Sequence, residues 1–203
     1  MTKPWTHQKE LKLKDIPNQN EVFILVNNIH QLRLKALITM CYLTGGRISE
    51  LVKCKKLYKR LEDGSSEAYD INYNGISKKD ITFINNKGKN IMLINIQNRK
   101  NKHMKRKNIP VLCDKEWRFV NIVTNYIETL KDDEPLFPFN RHWAYVQIKE
   151  NTGYNPHFWR DIRATHLVTM YGLDGFRLEK FLGWTDSRPA KHYVKLNWRD
   201  IWQ

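Results

Sequence analysis

His157 and Arg160 are a first pair of residues whose types and spacing could do chemistry. The stretch "NPHFWRDIRATHL" places a proline just before a predicted helix, and the two side chains follow at spacing i, i+3 on its first turn. A helix N-terminus that carries one imidazole and one guanidinium suits a phosphate group. The pair alone is a weak signal, because His and Arg three residues apart are common on solvated helix faces. His166, further along the helix, is expected to pack or cap.

Arg47 is a second candidate. In "TGGRISEL" an apolar helical pattern stops at two glycines and resumes at Arg47, with Glu50 three residues later on the same face of the next predicted helix. Glycine pairs commonly end helices because glycine enters the left-handed backbone region without a side-chain penalty. The glycines therefore explain the break, and the local pattern leaves open what Arg47 does beyond it.

A basic segment joins two predicted strands. "QNRKNKHMKRKN" (97–108) contains no acid, and its cations are Arg99, Lys100, Lys102, Lys105, Arg106 and Lys107. Like charges crowded on one hairpin tip repel each other, so an anionic partner is more plausible than a merely solvated loop. Two-stranded ribbons can enter DNA grooves, and we therefore predict that this tip contacts DNA.

Metal, nucleotide and cysteine chemistry are poorly supported. The seven histidines lack paired metal-ligand spacing and no acidic cluster accompanies them, so no metal or other cofactor is expected. No glycine-rich phosphate loop follows a strand, and no nucleophile elbow surrounds the serine of "GRISE". The three cysteines lie far apart, which suits a reducing compartment. Cys41 falls on an apolar helical pattern and is expected to be a small core residue.

The overall charge agrees with a polyanionic partner. Of the 203 residues, 35 are Lys or Arg and 21 are Asp or Glu, which gives a formal charge of +14. Such a surplus favours nucleic acid or an anionic membrane surface. No apolar run approaches the roughly 18 residues that span a bilayer, and the N-terminus has no signal-peptide core. We therefore expect a cytoplasmic, DNA-associated protein.

The elements that would position these residues are mainly helical. Apolar residues recur at helical spacing over 21–43, a second helix is expected to start near Arg47, and "EWRFVNIVTNYIETL" has helical periodicity. Residues of about 80–112 predict a three-stranded antiparallel meander, and 141–203 predict several short helices. The expected fold class is therefore α+β, mainly helical, with a small three-stranded antiparallel sheet.

The chain is expected to form one domain, because 203 residues can bury one good core. Residues 1–17 predict a polar lead-in, and residues 18–203 predict the folded unit. Within that unit, residues of about 55–75 are polar and turn-rich, and we interpret them as a loop or insertion.

The order of these pieces resembles the catalytic domain of the tyrosine recombinases, the phage-integrase family. The resemblance covers roughly residues 18–196 and depends on "LTGGRISEL", the basic hairpin, "PLFPF", "HFWRDIRATHL", "LGW" and a tyrosine nine residues after that tryptophan. The third box usually reads Leu-Gly-His and here reads Leu-Gly-Trp. The residues that match the family's functional positions are Arg47, Glu50, His157, Arg160, Trp184 and Tyr193.

The resemblance implies a metal-independent transesterification of DNA. Arg47 and Arg160 would clamp one scissile phosphate, which Tyr193 attacks with His157 as the candidate base. Trp184 cannot transfer a proton, so its indole N–H would donate a hydrogen bond to the phosphate, or its ring would simply pack against the nucleophile's helix. The product would be a 3′-phosphotyrosyl intermediate and a free 5′-hydroxyl, and a second strand's 5′-hydroxyl would then attack the intermediate.

The resemblance also implies supporting roles. Glu50 would orient Arg47. A lysine of the hairpin would protonate the leaving 5′ oxygen: Lys100 matches when counted from the preceding strand, and Lys102 when counted back from Ile109-Pro110. We favour Lys100.

The implied function is a site-specific DNA recombinase or integrase that binds double-stranded DNA and self-associates on it as a synaptic dimer or tetramer. A type IB topoisomerase-like enzyme would use much the same chemistry on one strand, and a non-catalytic double-stranded DNA-binding module would use only the charge. The sequence departs from the family at its ends. We expect the N-terminal DNA-clamping domain of most members to be absent, and only ten residues follow Tyr193.

Overall fold

The architecture combines helices with two small antiparallel sheets, in a computed structural model that describes residues 16–61, 63–97, 106–184, 188–191 and 193. The helices are α1 (Gln19–Asn27), α2 (Leu32–Thr44), α3 (Ile48–Leu51), α4 (Trp117–Ile127), α5 (Arg141–Thr152), α6 (Pro156–Thr169) and α7 (Gly175–Leu182), and residues 188–191 are helical as well. The strands are β1 (Cys54–Arg60), β2 (Ser66–Tyr73), β3 (Ile81–Asn86), β4 (Lys89–Gln97) and β5 (Arg106–Leu112). The predicted α+β class, mainly helical with a three-stranded antiparallel sheet, is confirmed.

The single helix predicted over 21–43 is wrong, since α1 and α2 are separate helices. Asn18 caps α1 through its side chain, and the Glu21 carboxylate accepts a hydrogen bond from the Asn18 N–H in return. The helix ends at Asn27 with Asn28 as its C-cap, and Ile29 in the connection is buried. Because a buried residue continues the apolar spacing across the connection, periodicity alone did not reveal the break.

α2 lies at the centre of the core and packs against α1, α4, α5 and α6. Its buried residues surround the helix rather than forming one stripe, as expected for a helix covered on all sides. Burial raises the pKa of the Cys41 thiol to about 12. The prediction that Cys41 is a small core residue is confirmed. Among the described residues, no helix has the length and apolar character needed to cross a bilayer.

The three-stranded sheet has the order β3-β4-β5 and places one face of β4 in the core. Met92, Ile94 and Ile96 alternate with less buried residues along β4, which is the period of two that a strand requires. β4 ends at Gln97, which pairs with Arg106 at the start of β5. Four of the predicted hairpin cations, Arg99, Lys100, Lys102 and Lys105, lie outside the described residues.

Residues of about 55–75, interpreted from sequence as a loop or insertion, contain a second antiparallel hairpin. β1 pairs with β2, and Lys56 lies opposite Asp70 while Tyr58 lies opposite Ala68. The sequence analysis missed these strands because the segment is polar and turn-rich overall, although Tyr69, Ile71 and Tyr73 alternate with polar residues along β2. Whether the hairpin is an insertion relative to the family stays a prediction.

A buried ion pair ties α6 to the residue that precedes α4. Arg163 donates a hydrogen bond from Nη1 to Oε1 of Glu116, and their side chains are only 2% and 0% exposed. Tyr171 donates its hydroxyl to the same oxygen at 2.5 Å, and Gln19 Nε2 donates to the other oxygen at 2.8 Å. Burial alone would lower the pKa of Arg163, but the Glu116 carboxylate outweighs burial and the net pKa is raised. The guanidinium therefore stays charged.

His166 packs in the core beside this pair. Its Nδ1 lies 3.0 Å from the Tyr42 hydroxyl, and its Nε2 lies 2.9 Å from the Pro17 carbonyl oxygen. The prediction that His166 packs is confirmed, because the residue is buried and both ring nitrogens are used in hydrogen bonds between elements.

Candidate active site

Arg160 lies where three elements meet. Its side chain is 2% exposed, and it donates from Nη1 to the Gly45 carbonyl oxygen at 2.5 Å and from Nη2 to the Leu182 carbonyl oxygen at 2.8 Å. The guanidinium of α6 is thereby held against the C-terminal ends of α2 and α7. Burial lowers the pKa of Arg160 to about 10, and the neighbouring Arg47 contributes to that direction. The group nevertheless remains a cation near neutral pH.

The two glycines of "TGGR" permit this approach. Gly45 has φ +54°, and a Cβ placed on it would lie 2.5 Å from a Leu182 methyl carbon and 3.5 Å from Cγ of Arg163. A Cβ on Gly46 would lie 2.9 Å from the Thr44 hydroxyl oxygen. A side chain on Gly45 would press against α7 and α6, so glycine there serves close packing as well as the turn, whereas a side chain on Gly46 would press on Thr44 at the end of α2 itself.

Arg47 is held by Glu50 at the start of α3. The Arg47 N–H donates to one Glu50 carboxylate oxygen at 2.9 Å, and its Nη1 donates to the other at 3.1 Å. Glu50 is fully buried, whereas the Arg47 side chain is partly exposed. Both carboxylate oxygens therefore act on one arginine and fix its orientation, while part of the guanidinium stays open to a ligand.

Lys107 reaches the same place from the first residues of β5. Its Nζ donates to the Leu182 carbonyl oxygen at 3.2 Å, the oxygen that also accepts from Arg160. Burial lowers the pKa of Lys107 to about 8; Glu50 opposes that shift, and Arg160 and Arg47 add to it. Three cations and one carboxylate thus face each other, and this surplus of positive charge in a largely buried place suits an anion.

Tyr193 lies beside this cluster. Its hydroxyl donates to Oδ1 of Asp161 at 2.5 Å, and its ring stacks on Trp184 with centroids 5.7 Å apart and planes at 12°. The Arg160 guanidinium lies over the other ring of that stack, 5.3 Å from the Trp184 centroid. Burial raises the pKa of Tyr193, the charge and hydrogen bond of Asp161 raise it further, and Arg160 lowers it. The phenol is therefore held protonated in this arrangement.

His157 is at the edge of the cluster rather than inside it. It is exposed on the first turn of α6, where its N–H donates to the side chain of the capping residue Asn155 at 2.9 Å. Arg160, one turn later on the same helix, is buried. The spacing i, i+3 separates the two side chains by about 60° around the helix axis, which is enough to leave one outside and one inside.

Sequence reasoning did not find Asp161 and assigned Lys107 only to the DNA-contacting tip. Asp161 follows Arg160 directly, and adjacent helical residues point about 100° apart, so nothing local links Asp161 to a tyrosine 32 positions away. Arg106, the neighbour of Lys107, is instead on the surface and pairs with Asp80 at 3.2 Å. Contact of Arg106 and Lys107 with DNA remains a prediction.

Comparison with solved structures identifies the fold. The chain is similar to the XerH site-specific recombinase in its post-cleavage complex with palindromic difH substrate, with a TM-score of 0.61 and 14% identity over 95% of this chain and 51% of that one. For the pre-cleavage XerH complex with difH, the TM-score is 0.58 and the identity is 17%, over 95% of this chain and 54% of that one. For XerA recombinase, the TM-score is 0.58 and the identity is 15%, over 99% of this chain and 65% of that one. The chain therefore has the fold of a tyrosine recombinase catalytic domain.

No protein-family model matches the chain, and no curated protein matches it by sequence. The chain spans between half and two thirds of the length of the solved recombinase chains that it matches.

Proposed function

We propose that this chain cleaves and rejoins double-stranded DNA through a 3′-phosphotyrosyl intermediate, as a site-specific recombinase that self-associates on its substrate. The observation that carries the proposal is the convergence of Arg47, Arg160 and Lys107 on one partly open place with Tyr193 beside it. The fold adds support, because the solved chains of the same fold are site-specific recombinases.

In the first step the Tyr193 oxygen attacks the scissile phosphorus. A P–O bond to the tyrosine forms, the P–O5′ bond breaks, the phenolic proton passes to a base, and the leaving 5′ oxygen takes a proton from an acid. Arg47 and Arg160 neutralise the charge that develops on the non-bridging oxygens. Glu50 keeps Arg47 oriented through its two hydrogen bonds. In the second step a 5′-hydroxyl attacks the phosphotyrosine, and the same transfers run in reverse.

Trp184 acts in this scheme by position. Its ring contacts both the Arg160 guanidinium and the Tyr193 ring, so it links the phosphate clamp to the nucleophile. Two roles for Trp184 were predicted from sequence, packing against the nucleophile's helix and donating an indole N–H hydrogen bond to the phosphate. Both are compatible with this position, since the ring stacks on Tyr193 and the indole N–H can act as a donor.

Asp161 is the group placed to take the phenolic proton, because its carboxylate already accepts the Tyr193 hydrogen bond. His157, the base predicted from sequence, is exposed at the edge of the site and is the alternative. A carboxylate in this position can act as general base in concert with attack, without a free phenolate.

Asp161→Asn is expected to slow adduct formation near neutral pH by about 100-fold or more, since positioned general bases contribute about 10²–10⁴. The amide can still accept the hydrogen bond but cannot take the proton. Removing the carboxylate also removes a cause of the raised Tyr193 pKa, so the variant should recover rate as the pH rises. Single-turnover rates between about pH 6 and pH 10 measure both effects. An unchanged rate near neutrality would assign the role to His157.

The proton for the leaving oxygen has to come from an acid near the same phosphate. Lys100 and Lys102, the candidates from sequence, lie outside the described residues. Lys107 has its ammonium in the site, and a pKa of about 8 places that ammonium close to the value at which proton donation at neutral pH is most effective. We therefore place Lys107 beside Lys100 and Lys102 as a candidate acid.

Lys107→Gln is expected to reduce cleavage of an ordinary phosphodiester by about 100-fold or more, and to leave cleavage of a 5′-bridging phosphorothiolate nearly unchanged. A sulfur leaving group departs as a thiolate and needs no proton, because thiols are far more acidic than alcohols. Lys100→Gln and Lys102→Gln are the matched comparisons. The lysine whose loss is rescued by sulfur is the acid, and equal slowing of both substrates by Lys107→Gln would assign it to phosphate binding instead.

The proposal as a whole is tested with nicked duplexes that trap the intermediate by releasing a short strand. The duplexes carry a library of random sequences, so that the assay does not depend on one particular target site. Incubation in EDTA, followed by denaturing electrophoresis, should give a protein–DNA band whose attachment maps to Tyr193 by mass spectrometry. Tight binding without such a band would favour a DNA-binding module over an enzyme.

A further inference from the structure

A basic cleft beside the β1–β2 hairpin is not used in the reaction above. It has a volume of about 570 Å³ and lies between the start of β1 and the start of α5. The cations that line it are Lys53, Lys55, Lys56 and Arg141, and none of the described residues that line it is acidic. Four positive charges around a concave surface without a lining carboxylate attract a polyanion.

The shape of the hairpin contributes to this surface. The register of β1 against β2 shifts between Cys54 and Lys56, an irregularity of the kind that re-aims neighbouring side chains. Lys55 and Lys56, which are adjacent in sequence at this irregularity, both line the cleft. Lys56 also lies 3.9 Å from Asp70 on β2, but both groups are well exposed, and such a pair is weak and readily exchanged for another partner.

Two tyrosines add donors of a second type. Tyr58 and Tyr145 line the cleft and are 63% and 42% exposed. Tyrosine hydroxyls, together with Lys and Arg, are among the groups that contact the sugar-phosphate backbone of DNA. The combination fits an extended nucleic acid better than a small anion.

The cleft is attached to the active site by short, bonded connections. Lys53 pairs with Asn140 in an isolated bridge, and the Tyr73 hydroxyl at the end of β2 donates to the Glu50 carbonyl oxygen at 2.8 Å. Lys53 follows Arg47 by six residues, so the two lie no more than roughly 20 Å apart. That distance corresponds to about six base pairs of duplex at 3.4 Å each.

We propose that this cleft binds the phosphate backbone of the same duplex whose scissile phosphate occupies the active site, within about six base pairs of the cleavage point. This inference rests on the proposed function, which supplies the duplex and its register. The hairpin and α5 then hold the flanking arm, and Arg47 and Arg160 hold the phosphate that reacts.

The test compares two triple variants that remove the same charge. Lys53→Gln/Lys55→Gln/Arg141→Gln removes three of the four cations that line the cleft, and Lys89→Gln/Lys131→Gln/Lys149→Gln removes three exposed lysines that do not line it. Affinity for a duplex of about 30 base pairs is measured over a salt series. The cleft variant should bind on the order of 10- to 100-fold more weakly near physiological salt, with a salt slope smaller by about 2 to 3. The control variant should change far less.

A second readout locates the contact in the wild-type protein. Lysine acetylation followed by mass spectrometry should show Lys53, Lys55 and Lys56 several-fold protected by the duplex, while Lys131 and Lys149 stay reactive. Equal effects of the two triple variants, or cleft lysines that remain reactive in a bound complex, would overturn the inference. Stronger protection by a single strand than by the duplex would overturn it in favour of single-stranded DNA.

Failure of the cleft inference can be distinguished from failure of the proposed function. If the wild type forms the Tyr193 adduct but the cleft fails both readouts, the proposed function stands and the inference falls. If the cleft passes both readouts but no adduct forms, the cleft binds DNA and the proposed enzyme is wrong. If the wild type binds no duplex at all, both are wrong.

Discussion

Replacing Tyr193 with phenylalanine is expected to abolish the covalent protein–DNA adduct, a loss on the order of 10⁴-fold or more, as for the removal of other enzymatic nucleophiles. The substitution deletes only the oxygen that would attack phosphorus. The ring can keep its stack on Trp184, and Arg160 keeps its bonds to the Gly45 and Leu182 carbonyl oxygens. Affinity for duplex DNA should therefore stay close to that of the wild type.

The measurement is the nicked-duplex assay with denaturing electrophoresis, with DNA binding followed in parallel. Tyr154→Phe is the matched control, since it deletes the same atom from a tyrosine whose ring packs against Phe158 and Trp159. That variant should form the adduct at the wild-type rate. A persisting adduct in Tyr193→Phe would show that another residue is the nucleophile and would remove the basis of the mechanism.

The second large effect is expected on stability. Glu116→Gln should lower the free energy of unfolding by about 3 kcal/mol or more, since breaking a buried pair leaves an uncompensated charge and costs about 3–5 kcal/mol. The amide fills the same space, so the loss reports on charge rather than on volume. Arg163 is buried and stays ionised beside Glu116, and Tyr171 and Gln19 also depend on that carboxylate.

Urea unfolding of the purified protein measures this loss, and thermal unfolding should shift down by about 10 °C for a domain of this size. Asp132→Asn is the control, because the Asp132 carboxylate is 86% exposed in its pair with Lys78, and such a pair contributes at most about 1 kcal/mol. The double variant Glu116→Leu/Arg163→Met should regain most of the stability, since apolar side chains can replace a buried pair at little cost. A small effect of Glu116→Gln would mean that water reaches Arg163.

The local elements were largely accessible from sequence patterns. The start of α6 follows from Asn155, which caps it, and Pro156, which occupies its first position. The strand alternation of Met92, Ile94 and Ile96 indicates one buried face of β4. The break between α1 and α2 was missed because the buried Ile29 continues the apolar spacing across it. The β1–β2 hairpin was missed because its polar, turn-rich composition outweighed the alternation of Tyr69, Ile71 and Tyr73 along β2.

The candidate site was accessible in part. The order of the sequence boxes placed Arg47, Glu50, Arg160, Trp184 and Tyr193 in one functional set. In the structure Arg47 bonds Glu50, and Trp184 contacts both Arg160 and Tyr193. Their roles in catalysis remain predictions. The predicted acid Lys100 and its alternative Lys102 lie outside the described residues.

The sequence alone predicted the residue types of the site, the order of its elements and the excess of positive charge. Each of these can be read from the linear order and composition of the chain. The partner of Tyr193, the direction of Lys107 and the pair between Glu116 and Arg163 required the packed structure. Protonation and pairing depend on burial and on distances of a few ångströms between residues far apart in the chain. Those distances exist only after α6, α7 and β5 have packed around the end of α2.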